Sequence, residues 1–414
     1  MPKVAPAKLQ AMIKGIVTRQ PVVDIHTHLF DPAMGALCLW GIDELLTYHY
    51  IVSEFFCARP DIDYQSFFNQ SKAQQADLIW TELFIRRSPI SEACRGVLTI
   101  LQALGLDPKT KSLAAFRRYF NKQKIAAYTA KVFKLAAVDY VYMTNDPLDA
   151  TEHKIWQKGF ERDPRFLGAL RLDSALMAWP RGVARLQALG YAVDEALTGK
   201  TLAEVRRYLN DWCQRIKAHY MGISLPPSFR YPERTSSLNN LLVQAVLPVA
   251  RERGLPLALM LGVKKLTNPA LGLAGDSVAK SEIETLEQLA ADFADNRFLV
   301  TYLARENMHE LCVAARKFKN ITPFGCWWFL NTPSLIEEIT ATRLELLGLS
   351  FIPQHSDARV LEQLIYKWDH ARTVIARVLT EKYADLTQAG WPVSAAEVRR
   401  DFQILFGAAR LRSP

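Results

Sequence analysis

Two histidines separated by one residue form the first feature of the sequence that can do chemistry. His26 and His28 come at the end of an apolar run, Val22–His26, that has the length of a buried β-strand. Side chains at positions i and i+2 of a strand point to the same side, so the two imidazoles can converge on one divalent cation. The alternative is a pair of surface histidines leaving the strand, because this spacing alone is a weak signal.

A third metal ligand is predicted near the other end of the sequence, at Asp357. This residue follows an apolar run at Leu349–Gln354. If the two runs are the first and last strands of a closed barrel, they are neighbours, and Asp357 lies beside His26 and His28. Two imidazoles and a carboxylate with open positions suit a metal that acts as a Lewis acid. The alternative is that Ser356 and Asp357 cap the helix that follows.

Two arginines at strand ends are predicted to bind negative charge. Arg359 comes two residues after Asp357, and Arg171 ends the apolar run Phe166–Leu172. A guanidinium group can bind a carboxylate or an enediolate oxygen through paired N–H groups. For Arg171 the alternative is a structural ion pair with the nearby Asp173.

Aromatic and titratable side chains form two further groups. Tyr48, His49 and Tyr50 are consecutive, and a phenol and an imidazole above a metal site could transfer protons. An amphipathic helix with inward-packed aromatic residues is the commoner explanation of such a stripe. Trp327 and Trp328 follow the seventh predicted strand, where they either wall a pocket and exclude water or belong to the core.

The elements that must position these residues are eight strand-length apolar runs. Such near-continuous runs are typical of parallel strands buried on both faces, and helix-like segments lie between most of them. This alternation predicts an α/β fold, a (β/α)8 barrel of the TIM type. The predicted strands are Val22–His26, Asp139–Thr144, Phe166–Leu172, Met221–Leu225, Leu257–Gly262, Phe298–Leu303, Ile321–Cys326 and Leu349–Gln354. The predicted helices include Leu202–Ala218, Leu238–Arg253, Ser281–Ala294, Met308–Phe318 and Leu335–Leu347, with closing helices at Val360–Lys382 and Ala395–Leu405.

The connection after the first predicted strand is far longer than an ordinary loop between a strand and a helix. Helical periodicity recurs in it, at Ile42–Phe56 and Ala73–Arg86. We therefore expect a helical insertion over the mouth of the barrel. The predicted division is residues 30–135 for the insertion, and residues 1–29 and 136–414 for the barrel with its closing helices.

Composition and absent motifs exclude several classes of protein. The 414 residues include 51 basic and 42 acidic side chains, for a formal net charge of +9. The basic residues are scattered, which argues against a nucleic-acid surface and fits an anionic small substrate. No P-loop, GxGxxG or GxSxG motif is present, which argues against nucleotide, dinucleotide and serine-hydrolase chemistry.

The sequence also bears on cellular compartment and assembly. It has no apolar run long enough for a membrane span, and residues 1–20 lack the apolar region of a signal peptide. The six cysteines form no CxxC pair and are expected to be reduced thiols of a cytoplasmic protein. Self-association into a homo-oligomer is left open, with Trp156 and Trp391 as aromatic residues expected at the surface.

Several long blocks of the sequence resemble the uronate isomerase (glucuronate isomerase) family, and the resemblance extends over essentially the whole chain. The clearest blocks are DIHTH at the first strand, GCWWF at the seventh, QHSDARVLEQLIYKW at the eighth, and GIDELLTYHY, GALRLD, SLPPSF and GVKK. The resemblance implies an amidohydrolase-type barrel and one divalent metal, with zinc expected. It also implies a hexuronate substrate, with conversion of D-glucuronate to D-fructuronate and of D-galacturonate to D-tagaturonate.

The resemblance also implies roles for particular residues. Tyr50 is expected to move the carbon-bound proton, with the pKa of its phenol lowered by nearby positive charge. Asp357 is expected to be a metal ligand that also carries the hydroxyl proton. The remaining expected roles are metal ligation by His26 and His28, enediolate stabilisation by Arg359, binding of the C6 carboxylate by Arg171, orientation of Tyr50 or the sugar by His49, and substrate contact by Trp327 and Trp328.

One departure from the family pattern affects the expected metal site. Other members place a histidine on the fifth strand, where this sequence has Met260, and no lysine ends the fourth strand. We therefore expect a single, weakly held metal ion that mainly orients the substrate. A metal-dependent hydrolase on the same barrel is the alternative function, and a barrel that only binds sugar acids is a third.

Overall fold

The fold is built on a curved parallel sheet, and the computed structural model describes residues 6–407. Seven strands of this sheet pair in the order β1 to β7, and every pair in the sheet is parallel. A separate antiparallel pair joins the two-residue strands Val263–Lys264 and Ser277–Val278. Buried side chains dominate both faces, as predicted from the apolar runs. The strands are β1 Val22–Thr27, β2 Val138–Asn145, β3 Phe166–Arg171, β4 Ala218–Leu225, β5 Leu257–Leu261, β6 Phe298–Tyr302 and β7 Ile321–Pro323.

The eighth strand position is occupied by an irregular segment. Of the predicted strand Leu349–Gln354, only Ile352 pairs with the preceding strand position, through a parallel bridge to Phe324. The prediction of a regular strand here is therefore wrong in its extent. Pro323 lacks the amide hydrogen that the preceding step of this ladder would need, which helps to keep the pairing short.

The barrel closes between this irregular segment and β1. The His28 amide donates to the carbonyl of Ala358 at 2.8 Å, and the Asp357 amide donates to the carbonyl of His26 at 3.1 Å. These two hydrogen bonds make the first and last strand positions neighbours, as the (β/α)8 prediction requires. The closure also places the predicted ligand Asp357 directly against the strand that carries the two histidines.

Helices surround the sheet and connect most of its strands. Sequence signals mark several of their starts, including capping boxes at Ser71 and Ser394. The helices are α1 Pro6–Arg19, α2 Ile42–Leu46, α3 His49–Ala58, α4 Tyr64–Phe68, α5 Lys72–Trp80, α6 Glu92–Ala103, α7 Leu113–Phe120, α8 Ile125–Ala136, α9 Ala150–Lys158, α10 Asp173–Leu176, α11 Trp179–Ala188, α12 Thr201–Ile216, α13 Ser237–Leu241, α14 Leu247–Glu252, α15 Ile283–Asp292, α16 Met308–Lys317, α17 Pro333–Leu347, α18 Gln363–Gln388 and α19 Ala395–Phe406.

Shorter helical turns complete the set. A π-helical turn continues α5, and another joins α13 to α14. Four of the five 3-10 turns lie in the connections that follow β1, β5, β6 and β7, and the fifth lies between α6 and α7. These segments are the π turns Thr81–Arg86 and Leu242–Val246 and the 3-10 turns Pro32–Leu37, Pro108–Thr110, Pro269–Gly275, Arg305–Asn307 and Trp328–Leu330.

The long segment between β1 and β2 is helical, with α2 to α8 following one another. The predicted helix Ile42–Phe56 is interrupted, because α2 ends at Leu46 and α3 begins at His49. The segment is fastened to the barrel by hydrogen bonds such as that from the Gly41 amide to Glu362 Oε1, at 2.9 Å. Division of the chain into an insertion and a barrel domain stays a prediction.

The two tryptophans expected at the surface differ in their environments. Trp391 is 60% exposed, whereas Trp156 is buried, which corrects the prediction for that residue. The indole of Trp156 donates to Glu152 Oε1 at 3.0 Å, and the guanidinium of Arg162 lies 4.9 Å from its ring centroid. An amphipathic helix face and a neighbouring arginine thus cover this side chain.

Two further observations concern thiols and membranes. All six cysteines are free thiols, and five of them are buried. None of the helices within residues 6–407 combines the length and the apolar character that crossing a membrane requires.

Candidate metal centre and active site

The two histidines and the aspartate predicted to bind metal converge at the closure of the barrel. Asp357 Oδ1 lies 3.3 Å from His28 Nε2 and 3.7 Å from His26 Nε2, and the candidate ligand atoms all lie within 4.8 Å of one another. His26 and Asp357 are only 4% and 5% exposed. His26 Nε2 and Asp357 Oδ1 make no hydrogen bond in the part of the chain that the structure describes. Buried polar atoms are normally hydrogen-bonded, so this arrangement fits a bound cation.

The hydrogen bond behind His28 determines which of its nitrogens can bind metal. The Thr144 hydroxyl donates to the carbonyl of Thr27 at 3.0 Å, so its oxygen accepts from His28 Nδ1, which is 2.9 Å away. The Nε2 lone pair of His28 therefore faces the Asp357 carboxylate. A lone pair and an anion at this distance repel each other unless a cation lies between them, which supports metal binding.

Tyr220 holds the other histidine, and the sequence motifs did not reveal it. Its hydroxyl lies 2.9 Å from His26 Nδ1, and it is a fully buried residue of β4. When Nδ1 carries the proton and donates to Tyr220, Nε2 is free to bind metal. No motif marks Tyr220, and only its inward position on β4 could have suggested the contact.

Removal of the Tyr220 hydroxyl is expected to weaken metal binding without changing the fold. Tyr220→Phe keeps the buried ring but no longer fixes the His26 ring, so we expect metal affinity to fall by roughly 10- to 100-fold. Titration with Zn²⁺ against a competing chelator measures this affinity. Tyr208→Phe serves as the control, because it removes a buried hydroxyl that has no hydrogen-bond partner among residues 6–407. Equal affinities for the two variants would contradict the assignment of Tyr220.

Protonation states at the centre also suit a cation. Burial lowers the pKa of His26 and of His28, so both imidazoles are neutral near pH 7. Burial alone would raise the pKa of Asp357, but its contact with His28 and its electrostatic interaction with the neighbouring imidazoles bring this pKa below its usual value. Neutral imidazoles and an ionised carboxylate are the forms that bind divalent metals.

A second layer of contacts holds the loop that carries Asp357. Asp24 Oδ1 accepts from the Ser356 amide at 3.0 Å, and its Oδ2 accepts from the Trp368 indole at 2.8 Å.

Asp357 itself has a positive φ of 53°, which an aspartate tolerates better than most residues. Its side chain does not cap α18, which begins only at Gln363. The helix-cap alternative for Asp357 is therefore wrong.

The glycine of the GCWWF block makes room for a buried histidine. Gly325 has a φ of 67°, and a Cβ atom at this position would lie 1.9 Å from His355 Cδ2. The His355 ring packs 5.1 Å from the His26 ring, between centroids. Only glycine therefore allows the chain to pass over His355 at this distance.

A cavity opens from the metal ligands towards the mouth of the barrel. Its inner part includes Met260, so the fifth strand presents a thioether to the cavity. Its outer part carries three basic side chains that lie near the ligand Asp357. The inner part is lined by His26, His28, Arg171, Tyr220, Ser224, Met260 and Trp327, among others, and the outer part by His28, His49, Arg171, Lys265, Trp328, Asp357 and Arg359, among others.

The basic residues of the cavity differ in how they are paired. Arg171 binds both oxygens of Asp173, at 3.2 and 3.3 Å, which confirms the ion pair considered for it. Lys265 Nζ pairs with Asp276 Oδ2 at 2.7 Å. The Arg359 guanidinium makes no hydrogen bond or ion pair with any residue between 6 and 407, so its five N–H groups are available to a ligand.

Of the three consecutive residues Tyr48, His49 and Tyr50, the first two line the cavity, whereas Tyr50, a predicted substrate contact, does not. Burial together with Arg359 lowers the pKa of His49 to about 3. Tyr50 packs beside His49, with 4.5 Å between ring centroids, and its hydroxyl is buried without a partner among the described residues. Burial and the neighbouring Tyr48 raise the pKa of Tyr50 well above its usual value, so the expected lowering of this pKa is wrong.

The protein is a parallel α/β barrel with a His₂Asp centre at its strand ends and basic side chains in its cavity. These features are those of a metal-dependent barrel enzyme that acts on an anion. The chain is 50% identical to a uronate isomerase from Bacillus halodurans C-125, with a TM-score of 0.96, covering 99% of this chain and 96% of that one. The chain therefore belongs to the uronate isomerase family, as its sequence resemblance predicted.

More distant structures share the fold. A uronate isomerase from Thermotoga maritima is 16% identical, with a TM-score of 0.76 and coverage of 97% of this chain and 96% of that chain. A glucuronate isomerase from Caulobacter crescentus is 14% identical, with a TM-score of 0.74 and coverage of 97% and 93%. No protein-family model matches the chain, and no curated protein matches it.

Proposed function

We propose that the protein is a uronate isomerase that interconverts D-glucuronate with D-fructuronate and D-galacturonate with D-tagaturonate. The observation that carries the proposal is the His₂Asp centre beside the Arg359 guanidinium, which has no partner among residues 6–407, in a chain 50% identical to a protein named for this activity. This combination suits an aldose–ketose conversion, because the main barrier of that reaction is the negative charge of the enediolate.

We propose Zn²⁺ as the metal, held by His26 and His28 through nitrogen and by Asp357 through oxygen. Zinc accepts both types of donor and commonly binds three protein ligands in catalytic sites. The single ion follows from Met260, which replaces a fifth-strand imidazole. A cation bound there supplies a Lewis acid for the oxygen atoms of the open-chain sugar.

The protein's own residues would bind and orient the substrate around this centre. Arg171 binds the C6 carboxylate through the N–H groups that its ion pair with Asp173 leaves free. Arg359 donates to the oxygen atoms that become negative when the C2 proton leaves. Trp327 and Trp328 wall the cavity and exclude water, and neutral His49 orients the sugar or Tyr50.

Two protons move in the reaction. Tyr50 is the candidate that carries the carbon-bound proton: its phenol first releases its own proton to solvent, the phenolate then accepts the proton from C2, and the resulting phenol returns it to C1. Asp357 carries the second proton from the C2 hydroxyl oxygen to the C1 oxygen. These transfers turn the C1 aldehyde into an alcohol and the C2 alcohol into a ketone, with no change in overall composition.

Loss of the Arg359 charge is expected to slow turnover more than it weakens substrate binding. Arg359→Met removes the donors that stabilise the enediolate, so we expect kcat to fall by roughly 10²–10³-fold. Steady-state kinetics with D-glucuronate measure kcat and KM separately. Arg305→Met, which removes an arginine paired with Glu338 outside the cavity, is the control. A change confined to KM would show that Arg359 contributes only to binding.

A time course of proton NMR spectra in D₂O tests the proposed function directly. The zinc-loaded protein is incubated with D-glucuronate or D-galacturonate, and we expect the matching keto acid to form, with deuterium at the carbon that receives the exchangeable proton. Conversion of both substrates at different rates would rank them. Failure of a zinc-loaded sample to convert either hexuronate would disprove the proposal and favour the hydrolase alternative.

A further inference from the structure

A small hairpin follows β5 and lies at the outer part of the cavity. Its antiparallel strands are Val263–Lys264 and Ser277–Val278. Lys265 directly follows the first of these strands and Asp276 directly precedes the second, so the register of the hairpin sets the two side chains opposite each other. Both residues line the outer part of the cavity, and neither lines the inner part.

The ion pair between Lys265 and Asp276 holds an ammonium group at a fixed place in the cavity. The side chain of Asp276 is 3% exposed, and its Oδ1 accepts from the Leu266 amide at 2.8 Å while its Oδ2 accepts from Lys265 Nζ at 2.7 Å. The Lys265 side chain is 57% exposed, and Nζ lies 5.7 Å from the ring centroid of Trp328. Such a pair contributes little to stability, because water screens the exposed partner. Its clearer effect is to position the ammonium, whose other N–H groups make no hydrogen bond within residues 6–407 and can bind a ligand.

The middle of the substrate needs a partner in this part of the cavity. Under the proposed function, on which this inference rests, Arg359 binds the oxygen atoms at C1 and C2, and Arg171 binds the C6 carboxylate. Both arginines line the outer part. C4 is halfway between C2 and C6 along the open chain, so its hydroxyl lies between these anchors. D-Glucuronate and D-galacturonate differ only in the configuration at C4, so a polar side chain in the middle of the cavity can distinguish them.

Of the polar side chains in the outer part that the proposed mechanism does not use, Lys265 and Asp276 are best placed for this contact. Tyr48 is only 6% exposed and packs among the aromatic rings of α3. Ser224 also lines the inner part with Arg171, which places it towards the carboxylate end of the substrate. A sugar hydroxyl both accepts and donates hydrogen bonds, and the ion pair offers a donor and an acceptor side by side.

We propose that Lys265, held by Asp276, binds the C4 hydroxyl of the substrate and determines which of the two hexuronates is preferred. The ammonium donates to the C4 oxygen, and the Asp276 carboxylate accepts the hydroxyl hydrogen. With both ends of the sugar anchored, only one configuration at C4 directs the oxygen towards Lys265. The other configuration leaves the ammonium without this hydrogen bond, which lowers its kcat/KM.

Removal of the ammonium tests whether Lys265 discriminates between the hexuronates. We expect Lys265→Met to lower kcat/KM for the preferred hexuronate by roughly 10- to 100-fold, as for one hydrogen bond to a charged group, and to leave kcat/KM for the other within about 3-fold of wild type. Lys264→Met is the matched control, because the neighbouring lysine is exposed and does not line the cavity. It is expected to keep wild-type kcat/KM for both substrates.

A substrate without the C4 hydroxyl separates this contact from other roles of Lys265. The same 4-deoxy hexuronate corresponds to both epimers and keeps the C6 carboxylate and the reacting carbons. If Lys265 acts through the C4 hydroxyl, Lys265→Met has no further effect on kcat/KM for this compound. If Lys265 binds the carboxylate, or only holds the hairpin in place, the loss is the same for the 4-deoxy compound as for the two hexuronates.

The possible results distinguish failure of this inference from failure of the proposed function. Equal losses for both hexuronates, or none, in Lys265→Met would overturn the role of Lys265 and leave the isomerase activity intact. Equal kcat/KM of the unmodified protein for the two hexuronates would overturn it as well, because no preference would need an explanation. Loss of the preference in Ser224→Ala but not in Lys265→Met would assign the C4 hydroxyl to Ser224 instead. Absence of conversion of either hexuronate by the unmodified, zinc-loaded protein would refute the proposed function itself. If Lys265→Met does not fold, Lys265→Gln is measured in the same way and carries the same decision.

Discussion

Asp357→Asn is expected to lower kcat/KM for D-glucuronate by roughly 10³-fold or more, because in the proposed mechanism one side chain serves both the metal and the hydroxyl proton. The substitution keeps the shape of the side chain and leaves the amide hydrogen bond of residue 357 to His26 in place. It removes the negative charge that faces the His28 lone pair. We therefore expect the folded protein to be purified with much less than one metal ion per chain, as elemental analysis would measure.

Two comparisons make this result specific to the metal centre. Asp369→Asn changes an exposed aspartate on α18 and is expected to keep wild-type kcat/KM and metal content. Addition of excess Zn²⁺ to Asp357→Asn is expected to restore metal binding in part but not turnover, because an amide cannot accept the hydroxyl proton. Full recovery with zinc would limit Asp357 to ligation and exclude it as a proton carrier.

The metal triad could be predicted because strand direction and barrel closure determine it. Side chains two residues apart on a strand share a face, which places His26 beside His28. A closed barrel makes the first and eighth strand positions adjacent, which places Asp357 against both. These arguments need no knowledge of side-chain conformation, and the irregularity of the eighth strand does not affect them.

The contacts around the triad could not be predicted in the same way. The bond between Tyr220 and His26 depends on the register of β4 and on a side-chain rotamer, neither of which a hydrophobic pattern specifies. The contact between the Lys367 ammonium and the Tyr50 ring depends on how α18 packs against α3, and these two helices are far apart in sequence. Tyr50 illustrates the same difficulty, since positive charge was expected to dominate its pKa and burial does so instead.

The unusual environment of Tyr50 has a consequence for its role in catalysis. A buried phenol with a raised pKa is protonated in nearly all molecules near pH 7, which makes it a poor base in the resting protein. Its conjugate anion, once formed, is a correspondingly strong base towards carbon.

Tyr50→Phe is accordingly expected to reduce kcat by roughly 10²–10⁴-fold while leaving KM nearly unchanged. The hydroxyl has no hydrogen-bond partner among the described residues, so its loss leaves the packing of the ring beside His49 intact. Removal of an unsatisfied buried hydroxyl is expected to leave the melting temperature equal or slightly higher. Calorimetry and steady-state kinetics on the same sample measure the two effects.

A matched substitution shows whether the loss of turnover is chemical. Tyr302→Phe also removes a buried hydroxyl that has no hydrogen-bond partner among residues 6–407. Tyr302 lies on β6, and the charges near its hydroxyl are those of Glu284, Glu287 and Glu310. We expect it to keep wild-type kcat. In D₂O, Tyr50→Phe is further expected to lose deuterium incorporation from solvent in parallel with turnover, because one group moves the carbon-bound proton in both processes. Unchanged turnover in Tyr50→Phe would exclude the phenol and leave His49, a titratable residue of α3 that lines the cavity, as the group to test.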